Sequence, residues 1–440
     1  MKVLISGASI AGPAVAFWLA RAGYEVTVVE RATAVRAGGQ AVDFKGSTHR
    51  TVLDRMGCWD DVERIRTTPT DQHVVDAAGR LRAVIPAEFI GGDLEVLRGD
   101  LGRLLYERTR DVADYRFGDR IVTLVDGADG VDVEFGGGGR GRYDLVVGAD
   151  GIHSGVRRLV FGPEEEHVRY LGHYYAVAGT TTGVEAGRQP ASASGRGIGF
   201  WFNEPGRLAA IGGPKAPDLF VFASGPLDFD RDDVERQKDL VRQVYAERPW
   251  RVPEMLDRLS APGEFFLDGI SRVRMPRYTR GRVALVGDSA YGNTLGGFGT
   301  GLAIVGAYVL AGELATAGGR EHALERYDQL MHRYAKVARS GNAGPFLAPR
   351  TGIGIRLRNL MFTNRLAYRT LMGMTNTFAT DIALPDYRFP PSPSARGRHP
   401  GELDQPGPHR IGQPRTGSVQ RGQPGPDERG DPGLHGVDGP

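Results

Sequence analysis

Gly281-Arg-Val-Ala-Leu-Val-Gly-Asp-Ser289 is followed closely by Gly296-Gly-Phe-Gly-Thr-Gly301 and then by an apolar, small-residue segment, Leu302 to Leu314. Arg282 to Val286 reads as a strand of a parallel sheet buried on both faces. The segment from Leu302 reads as a helix whose first N–H groups and positive dipole end face the preceding loop. Glycines at 296, 297, 299 and 301 let the backbone come close to a flat ligand.

The beginning of the chain carries a second strand-loop-helix. Lys2 to Ser6 is a short apolar strand, Gly7-Ala-Ser-Ile-Ala-Gly12 a loop, Pro13 to Ala22 a helix stopped by Gly23, and Glu25 to Glu30 a second strand. Gly7 permits the tight turn, and Gly12 lets helix and strand pack closely. Ile10 and Ala11 lead into a helix N-terminus that faces a pyrophosphate. Ser9 stands where the dinucleotide fingerprint has its middle glycine. Glu30 ends the second strand, where an acid accepts hydrogen bonds from an adenosine ribose, and Arg31 beside it is a candidate adenosine contact. The two half-sites are separated by more than half the chain. That spacing points to a tightly held flavin and not to an exchanging nicotinamide.

Composition narrows the class. The 440 residues are 40% hydrophobic and 25% charged, ordinary values for a globular protein of two to three domains. The 55 basic and 53 acidic side chains leave a formal charge of +2, which gives no electrostatic case for nucleic acid. Only five of the basic residues are lysines, and the arginines are spread along the chain without forming a patch. The single cysteine, Cys58, excludes an intramolecular disulfide framework and fits a reducing cytoplasm, with the thiol buried and structural. The apolar start breaks at Gly7, too early for a signal peptide, and the run Leu302 to Leu310 falls short of a membrane span. No close cluster of His, Cys and Asp has metal-ligand spacing.

Between these ends the texture changes. Gln72–Val75 and Leu81–Ile85 read as a hairpin around Ala78-Gly79, and Asp100–Arg110 as an amphipathic helix. From about 166 to 278, strand-like runs such as 174–180, 198–202, 208–211 and 219–223 alternate with turns, the pattern of a largely antiparallel sheet. The expected domain plan is a discontinuous nucleotide-binding domain at 1–70, 91–165 and 279–345. A β-rich substrate domain at 71–90 and 166–278 is inserted into it. A helical segment at 346–389 follows, and then a Pro/Gly-rich tail at 390–440 too poor in apolar residues to order itself.

A third motif, Gly148-Ala-Asp-Gly-Ile-His-Ser-Gly-Val-Arg157, sits directly after a strand. With the N-terminal fingerprint and Gly287-Asp288, it gives three motifs in an order that resembles the FAD-dependent aromatic monooxygenases of the para-hydroxybenzoate hydroxylase type, over roughly residues 1 to 345. The resemblance implies an α/β fold, a Rossmann-like FAD-binding domain interleaved with a β-sheet substrate domain. It implies FAD as cofactor, NADPH or NADH as co-substrate, and O2 added at the flavin C4a carbon as a hydroperoxide. That species hydroxylates an aromatic or polyketide-like small molecule, or oxidises a ketone in the Baeyer–Villiger manner. It further implies that Arg98 approaches the flavin or its pyrophosphate and that Asp150 lies between FAD and the nicotinamide. Asp288 binds the ribityl and pyrophosphate region, while Gly299, Thr300 and Gly301 face the flavin ring. Gly39 and Gln40, in a loop after the second strand, are expected to touch the isoalloxazine.

The chain departs from many relatives at Gly287-Asp-Ser-Ala-Tyr291 and Thr294-Leu295, where they carry Gly-Asp-Ala-Ala-His and then a proline. Substrate specificity therefore does not carry over. Phe200, Trp201, Phe202, Phe220 and Phe222 are candidate pocket walls, about half of them core by strand alternation. His173, Tyr174 and Tyr175 are candidates for an acid or base, with no catalytic residue assigned. A flavin-dependent reductase or dehydrogenase, and a non-catalytic flavin- or ligand-binding protein, remain alternatives. The oligomeric state, monomer or homodimer, stays open.

Overall fold

The structure, a computed structural model, describes residues 1–35, 40–179, 195–213, 216–261, 263–339, 341–364, 368 and 383–389. Its first layer is a six-stranded sheet. The central strands are Lys2–Ser6, Glu25–Glu30, Leu145–Gly148 and Val283–Leu285, mutually parallel, with Asp114–Phe117 and Thr279–Arg280 at the edges. Val3, Leu4, Ile5, Leu145, Val146, Val147 and Val283 to Val286 are wholly buried. Continuous apolar strands of this kind occur where helices cover both sheet faces.

Two helices provide much of that cover. Ala11–Arg21 packs against Gly299–Thr316, which in turn packs against Arg320–Tyr334. Gly301 to Leu314 is buried without interruption. This is the one described helix long and apolar enough to cross a membrane. Its burial between the other two helices is what an all-round apolar helix in a protein core requires. It begins at Gly299, three residues before the expected Leu302. The glycines that weaken intrinsic helix propensity here are overridden by packing, so Gly299, Thr300 and Gly301 form the first turn and not a loop.

The second layer is a seven-stranded sheet. Its order is Phe265–Val273, Val168–Ala178, Ala216–Ala223, Arg207–Gly213, Gly197–Glu204, Thr70–Val75 and Leu81–Ile85. Neighbours are antiparallel except Thr70–Val75 against Gly197–Glu204. The hairpin expected around Gly79 is present, with that glycine at φ +76°. One sheet face packs under the helices Val234–Tyr245 and Val252–Arg258. The opposite face gathers Val74, Tyr175, Trp201, Leu208, Ala210, Leu219, Val221 and Ile270. A short ribbon, Ala41–Phe44 with Leu94–Leu97, stands beside the two sheets.

Past residue 340, helices cover Ala343–Leu347 and Gly352–Thr363. Residues 383–389, expected to be helical, carry no helix. They lie instead as a strap on the first layer. Phe389 stacks near Trp18 at 4.7 Å, and Tyr387 donates to the buried carboxylate of Glu313 at 2.6 Å. A side chain at Gly312 would collide with the Tyr387 ring. The tail 390–440 lies outside the described residues.

Candidate functional site

The three motifs meet. Lys2–Ser6, Leu145–Gly148 and Val283–Leu285 are neighbours in the sheet, and the register sets Ser6 beside Gly148 and Gly148 beside Leu285. Their loops therefore leave the same carboxyl edge, where ligands bind in open α/β sheets. At Gly7, Gly12 and Gly287 the loops are also packed too closely for a side chain. Gly7 takes φ +105°, and a Cβ there would collide with the Ala149 carbonyl oxygen. A Cβ at Gly12 would collide with the Gly7 carbonyl. Gly287, at φ +74°, abuts the methyl groups of Ala11 and Ala303.

Hydrogen bonds tie the loops together. The Ser289 hydroxyl donates to the Gly148 carbonyl at 2.6 Å, and the Ser6 hydroxyl to Asp150 at 3.5 Å. Arg157 is fully buried, and its guanidinium donates to the carbonyls of Ser289 (3.0 Å) and Ile152 (2.5 Å). One buried cation thus clamps the central motif to the C-terminal one. Sequence reading quoted Arg157 as the end of a motif and gave it no role. No local signal marked it, because its neighbour Arg158 in the same turn is an exposed arginine.

The expected contact residues fall around this edge. Glu30 accepts from the Ala8 N–H and the Ala32 N–H, both at 2.8 Å, which fixes its carboxylate against the first loop. Ser9 accepts from Arg98 at 3.1 Å, and the Arg98 N–H donates to the Gln40 carbonyl at 3.1 Å. Ile10 precedes the helix starting at Ala11 and supplies no side-chain cap, and Phe298 likewise leaves Gly299–Thr316 uncapped. The first N–H groups of both helices remain available to a ligand. Asp288 opens into the cleft within reach of Gly299, where a Cβ would lie 3.1 Å from its Oδ1. The surrounding protein pushes its carboxyl pKa up, with the Arg98 charge opposing. Asp150 is also pushed up by burial, opposed by the Ser154 hydroxyl and the Val156 N–H, which donate to it. Its carboxylate therefore holds the Gly151–Ser154 turn. Arg31 is exposed, 3.8 Å from Asp232. Gly39 lies outside the described residues.

A further cluster joins the central motif to the seven-stranded sheet. His153 Nδ1 meets Glu164 at 2.9 Å and its Nε2 meets Asp268 at 3.0 Å. Burial works against protonation of this imidazole, but the two carboxylates outweigh it and its pKa is raised. Glu164, despite its own burial, is held down to about 2 by His153 and by Arg231 and Arg157. No local pattern marks this cluster, because His153, Glu164 and Asp268 lie on three separate segments.

Strand alternation decides which residues of the seven-stranded sheet look toward this edge. Tyr175 pairs across the sheet with Asp268 and feels the charges of Asp268, Arg98 and Asp288, although burial chiefly raises its pKa. Tyr174 looks the other way, its hydroxyl accepting from the Leu227 N–H. His173 is packed beneath Gly344, with Nε2 3.3 Å from the Ala348 carbonyl. The four phenylalanines expected as pocket walls need correction. Phe200, Phe202, Phe220 and Phe222 all belong to the cluster under Val234–Tyr245. They occupy alternate positions of one parity, so their neighbours Trp201, Leu219 and Val221 hold the opposite face. There Trp201, Ala210 and Leu219 line a cavity of about 200 Å³ together with Gln72, Ala87 and Ile90.

The FAD binding domain family matches residues 1–340, a stretch containing all three motifs. The chain belongs to that family. Its relatives include a flavin-dependent monooxygenase of Legionella longbeachae serogroup 1 (strain NSW150), 34% identical over 345 residues, 76% of this chain and 86% of that one. An uncharacterized protein of Mycobacterium tuberculosis (strain ATCC 25618 / H37Rv) is 39% identical over 330 residues, 72% and 85% of the respective chains. Among solved structures, the tetracycline destructase Tet(55) shares 32% identity and a TM-score of 0.72, covering 88% of this chain and 98% of its own. The FAD-binding architecture expected from the sequence, an α/β nucleotide fold joined to a β-sheet layer, is the one observed.

Proposed function

We propose that this protein is an FAD-dependent monooxygenase that consumes NAD(P)H and O2 to oxidise an aromatic or polyketide-like small molecule. The observation that carries the reading is the meeting of Gly7–Gly12, Gly148–Asp150 and Gly287–Asp288 on one sheet edge, with the backbone at Gly7, Gly12 and Gly287 too close to its neighbours for a side chain. The residues suit FAD. The uncapped helix beginning at Ala11 offers N–H donors and a positive dipole end to the pyrophosphate. Glu30, held by two N–H groups, keeps lone pairs for the ribose hydroxyls. Arg98 and Asp288 would hold the ribityl and pyrophosphate region. The uncapped first turn at Gly299, Thr300 and Gly301 would offer N–H groups to negative charge developing on the ring.

FAD held here would supply the redox chemistry, taking reducing equivalents from a nicotinamide and activating O2 for the substrate. The protein's own part is positioning and exclusion of water. The Arg157 clamp fixes the Ile152 and Ser289 peptides, and through them the turns bearing Asp150 and Asp288. Tyr175, Trp201, Ala210 and Leu219 form an apolar wall on the cofactor side of the seven-stranded sheet, which keeps a reactive site dry. The likeness to a tetracycline destructase and to flavin-dependent monooxygenases supports an oxygenated ring compound as substrate.

The test is a screen of phenols, quinones and polyketides for stimulation of NADPH and NADH oxidation, with oxygen uptake and product mass followed together. Stimulated oxidation coupled to a product 16 mass units heavier is expected. Turnover that proceeds equally well without oxygen would overturn the reading.

A further inference from the structure

On the cofactor-side face of the seven-stranded sheet, Gln72 is a buried polar group to which the chemistry above gives no task. Gln72 lies in the strand Thr70–Val75 and is 4% exposed. One end of its amide lies 3.5 Å from the Thr70 carbonyl, and only the nitrogen end can donate there. The other end, Oε1, has no hydrogen-bond partner. A buried acceptor without a donor is destabilising and calls for an explanation.

The surroundings supply one. Gln72 sits opposite Gly199 in the parallel register, and a Cβ at 199 would collide with Oε1 and lie 2.8 Å from Nε2. The glycine therefore makes room for the amide to lie against the sheet. Gln72 lines the cavity of about 200 Å³, whose apolar wall is Trp201, Ala210 and Leu219. At the rim, Arg196 is paired with Asp71 at 3.1 Å and with Glu88.

We infer that Gln72 is a specificity-determining residue of this cavity, its Oε1 accepting a hydrogen bond from an O–H or N–H on the ring of the ligand. Gly199 is the positioning residue that seats it. That the ligand is the substrate rests on the monooxygenase reading. Volume sets its size: a dry cavity of about 150 Å³ admits benzene, so this one takes one ring or two fused rings. Trp201 and Leu219 contact the ring face, and Gln72 selects the donor at its edge.

Equilibrium dialysis of the FAD-loaded protein with 2-naphthol and with naphthalene tests this. In the native chain the hydroxyl should favour 2-naphthol. Gln72→Leu should shrink the ratio of the two affinities by about tenfold, the worth of one hydrogen bond. Gly199→Ala, which keeps the glutamine but displaces its amide, should do the same. Unchanged FAD content in both variants reports that they have folded. An affinity ratio unaffected by either substitution would overturn the inference, as would failure of both compounds to bind the native protein. If the ratio shifts as expected but no substrate supports oxygen-dependent turnover, Gln72 keeps its role as a ligand reader and the monooxygenase reading falls alone.

Discussion

Replacing Arg157 with methionine removes the one cation that joins the central motif to the C-terminal one. Methionine has similar length and fills the space, so the loss is confined to the guanidinium. Two hydrogen bonds from a charged donor disappear, at Ser289 (3.0 Å) and Ile152 (2.5 Å), each worth roughly 1.5–3 kcal/mol. Part of this is returned, because the variant no longer buries a charge. Glu164, 3.8 Å from Arg157, retains His153 and Arg231 as partners. A net destabilisation of about 2–3 kcal/mol follows. At about 2 cal/mol/K per residue, a unit of this size has an unfolding entropy near 0.8 kcal/mol/K, so Tm should fall by about 3 °C. FAD affinity should fall more visibly, by about tenfold, because the turns bearing Asp150 and Asp288 lose their common anchor. Differential scanning fluorimetry and FAD titration of the apoprotein measure the two effects. A variant that melts within about 1 °C of the parent and binds FAD unchanged would refute the clamp.

Further outcomes follow from other contacts. Glu313 is 3% exposed and accepts from both Tyr387 and Arg326. Glu313→Leu should destabilise by about 2–3 kcal/mol and make the 383–389 strap the first site of limited proteolysis; unaltered cleavage kinetics would count against the strap. The pKa of His153 is raised in the folded protein, so its stabilising charge is fully present below about 6.5 and lost as pH rises through the higher folded value. Glu164, held at about 2, contributes above its ordinary carboxylate range and loses its contribution as pH falls toward 2. The Tm gap between wild type and His153→Gln should therefore be widest near pH 5–6 and narrow on the alkaline side; a gap independent of pH would remove the charge network. Cys58, 1% exposed and pushed up to about 12 by burial, should resist Ellman's reagent at pH 8 until the protein is unfolded; rapid labelling of the native protein would contradict its burial.

Local signals were enough to read the nucleotide half. The runs Val3–Ile5 and Val283–Leu285, the punctuation at Gly7, Gly12 and Gly287, and the acid at Glu30 each act within a few residues of chain. Strand-like runs joined by turns likewise announced a largely antiparallel sheet. What they left open was parity. Phe200, Phe202, Phe220 and Phe222 are large and aromatic, yet whether they or Trp201 and Leu219 face the cofactor depends on which side the helix Val234–Tyr245 covers. No local rule contains that fact. The early start of the helix at Gly299 was hidden because glycine propensity argues for a loop while burial against Ala11–Arg21 argues for a helix, and burial won. Arg157, the His153 cluster and the unpartnered Gln72 were hidden for a related reason. Each depends on residues brought together from distant segments, and an isolated arginine, histidine or glutamine carries no signal of what it will meet.

Whether the three loops form one coenzyme site is tested most directly by FAD stoichiometry. Reconstituted, gel-filtered protein should carry close to one FAD per chain by absorbance, and Asp288→Ala should carry almost none while retaining its fold. A native protein that stays colourless after incubation with FAD, or an Asp288→Ala variant as yellow as its parent, would contradict it.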